Sequence, residues 1–285
     1  MSQNLYRRVI AVAIPVAIQN LIISSINMAD VFMIGQLGEV PIAALGMANQ
    51  IMFLLILTLF GVNSGSQVFS AQFFGAKDFV HLRRILGISL TMGILAGTLF
   101  FLSSLFFPAE LLGIFTNEQA VIDVGARYLR IVSWSYPFTA VAFSFAFQLR
   151  STDRPRVPMY VSMLALVVNI SLNWVLIFGH LGFPKLGIEG AAIATVIARV
   201  IETVVVIAMT YITKSVNAAT FSEMFSYRKE LIKRYMKTSF PVFLNEITWA
   251  AGMTMNMMVF GRMGTQAMAA INIESSVSRL SLPVL

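Results

Sequence analysis

The chain has 285 residues, of which 58% are hydrophobic and 12% charged, with a net charge of +7 and no cysteine. Soluble domains carry roughly 45–50% apolar and about 25% charged residues, so a water-soluble fold is excluded: there is too little polar surface to cover the apolar remainder. The missing cysteines remove disulfides and thiol chemistry, and in a membrane protein the positive charge is read from its placement rather than as a nucleic-acid signal.

The apolar runs are long and show no period-two alternation, so they predict spanning helices of roughly 20 residues, not barrel strands. The first runs over about 9–33, after a short basic start. It contains Pro15, Gln19, Asn20, Asn27 and Asp30 and lacks a small-residue cleavage site, so it reads as a retained span and not a signal peptide. Pro15 can bend this helix, and Gln19, Asn20 and Asn27 suggest that one face lines a wet cavity. Further spans are predicted at about 46–70, 86–107, 127–149, 157–179, 190–213 and 239–260, with an eighth starting near 267. Gly61 and Gly65, and likewise Gly93 and Gly97, have the spacing of close helix crossings. The fold class is therefore an all-α integral membrane bundle.

Fourteen of the twenty basic residues fall in alternate connections: Arg7, Arg8; Lys77, Arg83, Arg84; Arg150, Arg154, Arg156; and six between Lys214 and Lys237. The positive-inside rule puts that side, and the N-terminus, in the cytoplasm, as a multi-pass protein of the inner membrane. The longest connection, 214–238, mixes Phe221, Met224, Phe225, Tyr227, Leu231 and Ile232 with six basic residues. It reads either as an amphipathic helix on an anionic leaflet or as a solvated linker. In both readings it is a boundary, and an internal repeat supports it. At one constant offset Pro15 meets Pro241, Gly35 meets Gly261, Gly38 meets Gly264, Gln19 meets Asn245 and Asp30 meets Asn256. The expected organisation is a six-helix lobe over 1–213, a cytoplasmic amphipathic linker over 214–238, and the first one to two helices of a second, repeat-related lobe over 239–285. The chain thus reads as C-terminally truncated.

No phosphate-binding glycine loop, His-based zinc motif or catalytic triad is present, so an enzyme is not expected. Asp30 is the most informative residue: a carboxylate at membrane depth is costly unless paired, hydrated or protonated. It can bind a proton, Na⁺ or an organic cation, or it can snorkel to the outer headgroups. Asn169 and Asn173 are four apart and share a helix face; they either hold a cation beside Asp30 or glue helices together. Tyr128 is a substrate contact or part of an interfacial belt. Arg199 and Glu202 are three apart and can pair. Glu246 is a further inward-facing acidic candidate. The Met253, Met255, Met257 and Met258 cluster offers an adaptable surface or ordinary packing.

The strings PVAIQNLIISSINMADVFMIGQLG, VFSAQFFGAKDFVHLRR, YLRIVSWSYPF, LRSTDRP, NISLNWVLIFG and GIEGAAIATVIAR occur in order and extend the likeness over residues 5 to 280. Together they resemble the multidrug and toxic compound extrusion (MATE) family, in particular its DNA-damage-inducible branch. The resemblance implies twelve spans in two lobes and export of small cationic amphipathic compounds in exchange for H⁺ or Na⁺, with no other cofactor. It implies membrane lipids and organic cations as partners and no nucleic acid, with the missing lobe supplied in cis or by a second subunit. It assigns cation binding to Asp30, further site positions to Tyr128, Asn169 and Asn173, and the bend to Pro15. Archaeal-type members carry an Asp where this chain has Asn173; Asp30 is then the lone carboxylate of the lobe, which favours a protonation switch. The alternatives are a lipid-linked oligosaccharide flippase of the same superfamily and a seven-helix receptor. The flippase needs a cationic cavity, for which Arg199 is the only clearly embedded arginine in the first lobe.

Overall fold

A computed structural model describes residues 2–264 together with 266, 270, 271, 273 and 274, and all of its regular structure there is helical. The elements are α1 Ser2–Gly35, α2 Glu39–Gly75, α3 Phe79–Phe106, α4 Pro108–Gly113, α5 Gln119–Val132, α6 Ser135–Ser151, α7 Arg156–Phe178, α8 Ile188–Ile212, α9 Phe221–Phe225 and α10 Lys229–Arg262. Among the described residues, five helices are long and apolar enough to cross a membrane: α1 from Ala13, α2, α3, α7 and α8. The predicted eighth span and Arg279 lie largely outside the described residues.

Local chemistry sets the ends. Asp78 caps α3 by accepting the His81 backbone N–H at 3.1 Å. Pro108 starts α4 where no intrahelical donor is needed, and Gly179 closes α7 in the left-handed region at φ 76°. The predicted fourth span is corrected to two helices, α5 and α6. Pro137 has no N–H for the Ser133 carbonyl, which accepts from Tyr136 instead, and the Ser135 hydroxyl takes the Val132 carbonyl at 2.6 Å. Tyr128 consequently lies well inside α5 rather than at the opening of a span.

α2 is the central element, packed by α10, α3, α6 and α5, while α1 lies along α7 and α7 along α8. At 37 residues, α2 is about 55 Å long, longer than a hydrocarbon core of about 30 Å. One apolar core surrounds its first half, with Ala44, Leu45, Met47, Leu55, Phe115, Leu129 and Tyr136 buried. A second joins Leu86, Phe145, Leu149, Val161 and Val206 with Met224 of α9. Buried polar bonds tie the same helices: Gln148 accepts from Ser66 and Ser70 at 3.2 and 2.6 Å, and Ser89 donates to Asn63 at 2.6 Å. α10 crosses α2 at Gly61 and Gly65. A β-carbon at Gly61 would stand 2.8 Å from the Phe243 Cα, and one at Gly65 would stand 1.8 Å from the Ser239 Oγ.

The connection after α8 is bonded to the ends of the bundle helices. Asn217 donates to Thr152 at 2.8 Å, Arg154 to the Thr213 carbonyl at 3.2 Å, and Arg83 to the Val216 carbonyl at 3.2 Å. Its middle is the short α9, opened by a Thr220/Glu223 capping box. From Lys229 it is already α10, whose Tyr235 is buried and bonds the Val62 carbonyl. The repeat has a structural counterpart. α1 and α10 are both 34 residues long with an internal proline, and at the repeat offset their ends agree to within a few residues. The equivalent glycines that follow them, Gly38 and Gly264, hold φ of 116° and 111°, a region that side-chain-bearing residues rarely adopt.

Candidate functional site

α1 and α7 run side by side in the same direction and in register. Gln19 donates to Ser162 at 3.0 Å, and Asp30 accepts from Asn173 at 2.5 Å; both pairs are 143 residues apart in the chain. Each step along either helix is eleven residues, close to three full turns, so both polar residues of a helix return to one face. The seam between the helices therefore carries two polar stations about 16 Å apart, and α8 supplies side chains to each.

At the first station Asp30 is 7% exposed, Asn169 1% and Asn173 0%. The Asn173 amide donates to both the Asp30 carboxylate and the Asn169 carbonyl, the latter at 3.2 Å. Asn169 donates in turn to Thr195 of α8 at 3.4 Å, a long bond. Tyr128 is buried on α5, its hydroxyl beside Thr195 and within electrostatic range of Asp30. The Asn173 Oδ1 is buried and has no partner among the described residues. A buried acceptor left unmet is costly, so the station has one free oxygen beside a carboxylate: it can accept a proton-bearing group or a cation.

The structure thus brings Asp30, Asn169, Asn173 and Tyr128 together. Gln19 belongs to the second station. Asn27 is half-buried, and Asn20 is exposed because it lies about 100° round the helix from buried Gln19. Pro15 is buried within an uninterrupted α1. Glu246 is half-buried on α10, the helix packed on α2, and does not join Asp30. Its repeat neighbours Asn245 and Asn256 are exposed. Among the described residues no group of three or more His, Cys, Asp or Glu could hold a metal.

At the second station Gln19 also accepts from Arg150 at 2.7 Å. Ser162 donates to Glu202 at 3.0 Å, and Arg199 pairs with Glu202 at 2.5 Å. These side chains line a cavity of about 60 Å³ walled by Ile23, Phe143 and Phe147. Sequence reasoning missed Thr195, Ser162 and Arg150. Thr195, Arg199 and Glu202 fall on one stripe of α8, a usable signal. Arg150 looked like a loop charge, but it is in the last turn of α6 and turns inward, which corrects the view of Arg199 as the only embedded arginine.

Comparison with known proteins gives the family of the chain. The chain is 29% identical over 280 residues to the probable multidrug resistance protein YoeA of Bacillus subtilis, covering 96% of this chain and 60% of that protein. It is 27% identical over 285 residues to the probable multidrug resistance protein NorM of Thermotoga maritima, covering 96% and 59%. It therefore spans about three fifths of the length of these relatives. A solved inward-facing multidrug resistance MATE family transporter of the MOP superfamily shares the fold, with a TM-score of 0.80 at 21% identity over 98% of this chain and 63% of that one. The MatE family model matches residues 15–175, more than half of the chain and the whole α1–α7 seam, and the protein belongs to that family of multi-pass membrane transporters.

Proposed function

We propose that the protein exports cationic amphipathic compounds by antiport, with Asp30 as the carboxylate for which a proton and the cargo compete. The observation that carries this is the Asp30–Asn173 pair with its unmet Asn173 Oδ1. An amide has a donor face and an acceptor face. When Asp30 is ionised, the Asn173 N–H group faces it, as here. When Asp30 is protonated, its O–H can donate to Asn173 Oδ1 once the amide turns over. Asn173 can thus satisfy either state, and the exchange re-pairs Asn169 and Thr195, which moves α7 relative to α8.

The thermodynamic logic follows. An ionised, buried carboxylate attracts an organic cation strongly because little water screens it; protonation removes that attraction, and cargo leaves. Exclusive occupancy couples the two fluxes, and the ion gradient supplies the free energy. The proton is favoured over Na⁺ because only one carboxylate is present, although the oxygens of Asp30, Asn169 and Asn173 are also a hard-donor set suited to Na⁺. Charge placement supports an inner membrane with the N-terminus in the cytoplasm, which puts Asp30 in the outer half of α1. Lipid and the remainder of the transporter, in cis or as a second subunit, are the expected partners. The test is ethidium efflux from vesicles under separately imposed ΔpH and Na⁺ gradients. The reading expects ΔpH-driven efflux from wild type and none from Asp30→Asn at equal expression; efflux retained by the variant overturns it.

A further inference from the structure

The second station has a charge that its neighbours do not balance. Glu202 has both carboxylate oxygens engaged, one by Ser162 and one by Arg199. Arg150 is left with a neutral partner, Gln19, and its guanidinium lies 5.2 Å from the Phe147 ring centre. Its Nε is buried and has no partner among the described residues. Among the described residues no carboxylate pairs with Arg150. Arginine does not shed its proton in proteins, so the charge persists, and a half-buried charge without a counter-charge is unfavourable. Two arginines and one glutamate line the cavity, leaving one positive charge over in a site whose other walls are largely apolar, with Phe143 and Phe147 stacked 4.9 Å apart.

We propose that this cavity binds the carboxylate group of a small amphipathic acid, with Arg150 as its anchor and the apolar body of the acid lying on Phe143 and Phe147. The volume suits the group: about 60 Å³ open to water-sized groups holds several waters and so admits a carboxylate. A carboxylate in the cavity can accept a charge-assisted hydrogen bond from a terminal N–H of Arg150, whereas the Nε–H is closed off from water-sized groups. The site is three turns of α1 from Asp30 and of opposite charge, so it extends the ligand range beyond cations and does not depend on Asp30.

The probe is 4-fluorobenzoate, with uncharged 4-fluorobenzamide as its matched control, followed by ¹⁹F line broadening on the purified protein. Wild type and Asp30→Asn should broaden benzoate equally and saturably, and the amide should be unaffected. Arg150→Gln should weaken benzoate binding about tenfold or more, and Arg150→Lys less. Ala146→Leu, which fills the cavity from its wall and keeps the charge, should also weaken it, and decides the matter if Arg150→Gln does not fold. Equal broadening by acid and amide, no saturable binding to wild type, or unchanged binding in both Arg150→Gln and Ala146→Leu overturns the proposal. Loss of transport in Asp30→Asn with benzoate binding intact separates this site from the coupling carboxylate.

Discussion

A single amide governs the chemistry around Asp30. Replacing Asn173 with Leu removes the donor and leaves a buried carboxylate unmet, a loss of about 1–3 kcal/mol; the melting temperature in detergent should fall at neutral pH and recover when Asp30 is protonated in acid. Thr195→Val removes the long bond from Asn169 and the hydroxyl contact with Tyr128, neither of which reaches the carboxylate itself, and its effect on the melt should be smaller. Asp30, Asn169 and Asn173 could be found in the sequence because embedded polar residues are rare and the two amides share a face by spacing alone. Thr195 and Ser162 could not: a hydroxyl in a helix commonly bonds its own backbone, as Ser25 and Thr91 do here, and only the fold shows which hydroxyls reach across. Arg150 was hidden by its position at a helix end, where charge usually means solvent.

At the scale of elements, the bundle depends on close crossings. Gly61→Ala would meet the Phe243 backbone, which cannot turn away, whereas Gly65→Ala would meet the Ser239 hydroxyl, which can. Gly61→Ala should therefore lower thermal stability more, by about 1–3 kcal/mol; equal melts for the two variants would show that α10 does not pack on α2 as described. The α8–α10 connection is held by α9. Glu223 is kept below the usual carboxylate range by the Thr220 backbone N–H, with Arg83 adding to it at 2.6 Å. A carboxyl depressed in the folded state stabilises at neutral pH, and that contribution is lost as pH falls through its folded value, below the ordinary glutamate range. Hydrogen exchange over 213–228 should be slow at pH 7 and quicken, relative to the intrinsic rate, in acid. Gly87→Ala, which would press on the Met224 carbonyl at 1.9 Å, should quicken it at pH 7. Composition made this segment look detached because its charges are many; its anchoring rests on backbone carbonyls and on buried Met224 and Tyr235, which no hydropathy pattern reveals.

Across the whole molecule, one in-register seam between α1 and α7 organises the proposed function. Two stations of opposite character lie on it, a carboxylate among amides and a guanidinium among aromatic walls, and α8 touches both. Most of the spans and the repeat were readable because the bilayer demands long apolar helices and a repeat preserves its glycines and prolines. The α1–α7 pairing was not, since five helices intervene in the chain and nothing local records which two become neighbours. The central claim, that proton and cation compete for Asp30, is tested most directly by titrating tetraphenylphosphonium into the purified protein in weakly buffered solution and counting released protons. Wild type should release up to about one proton per cation bound, as linkage at a single carboxylate requires, and Asp30→Asn none. Cation binding without proton release at any pH, or the same release from the variant, would contradict it.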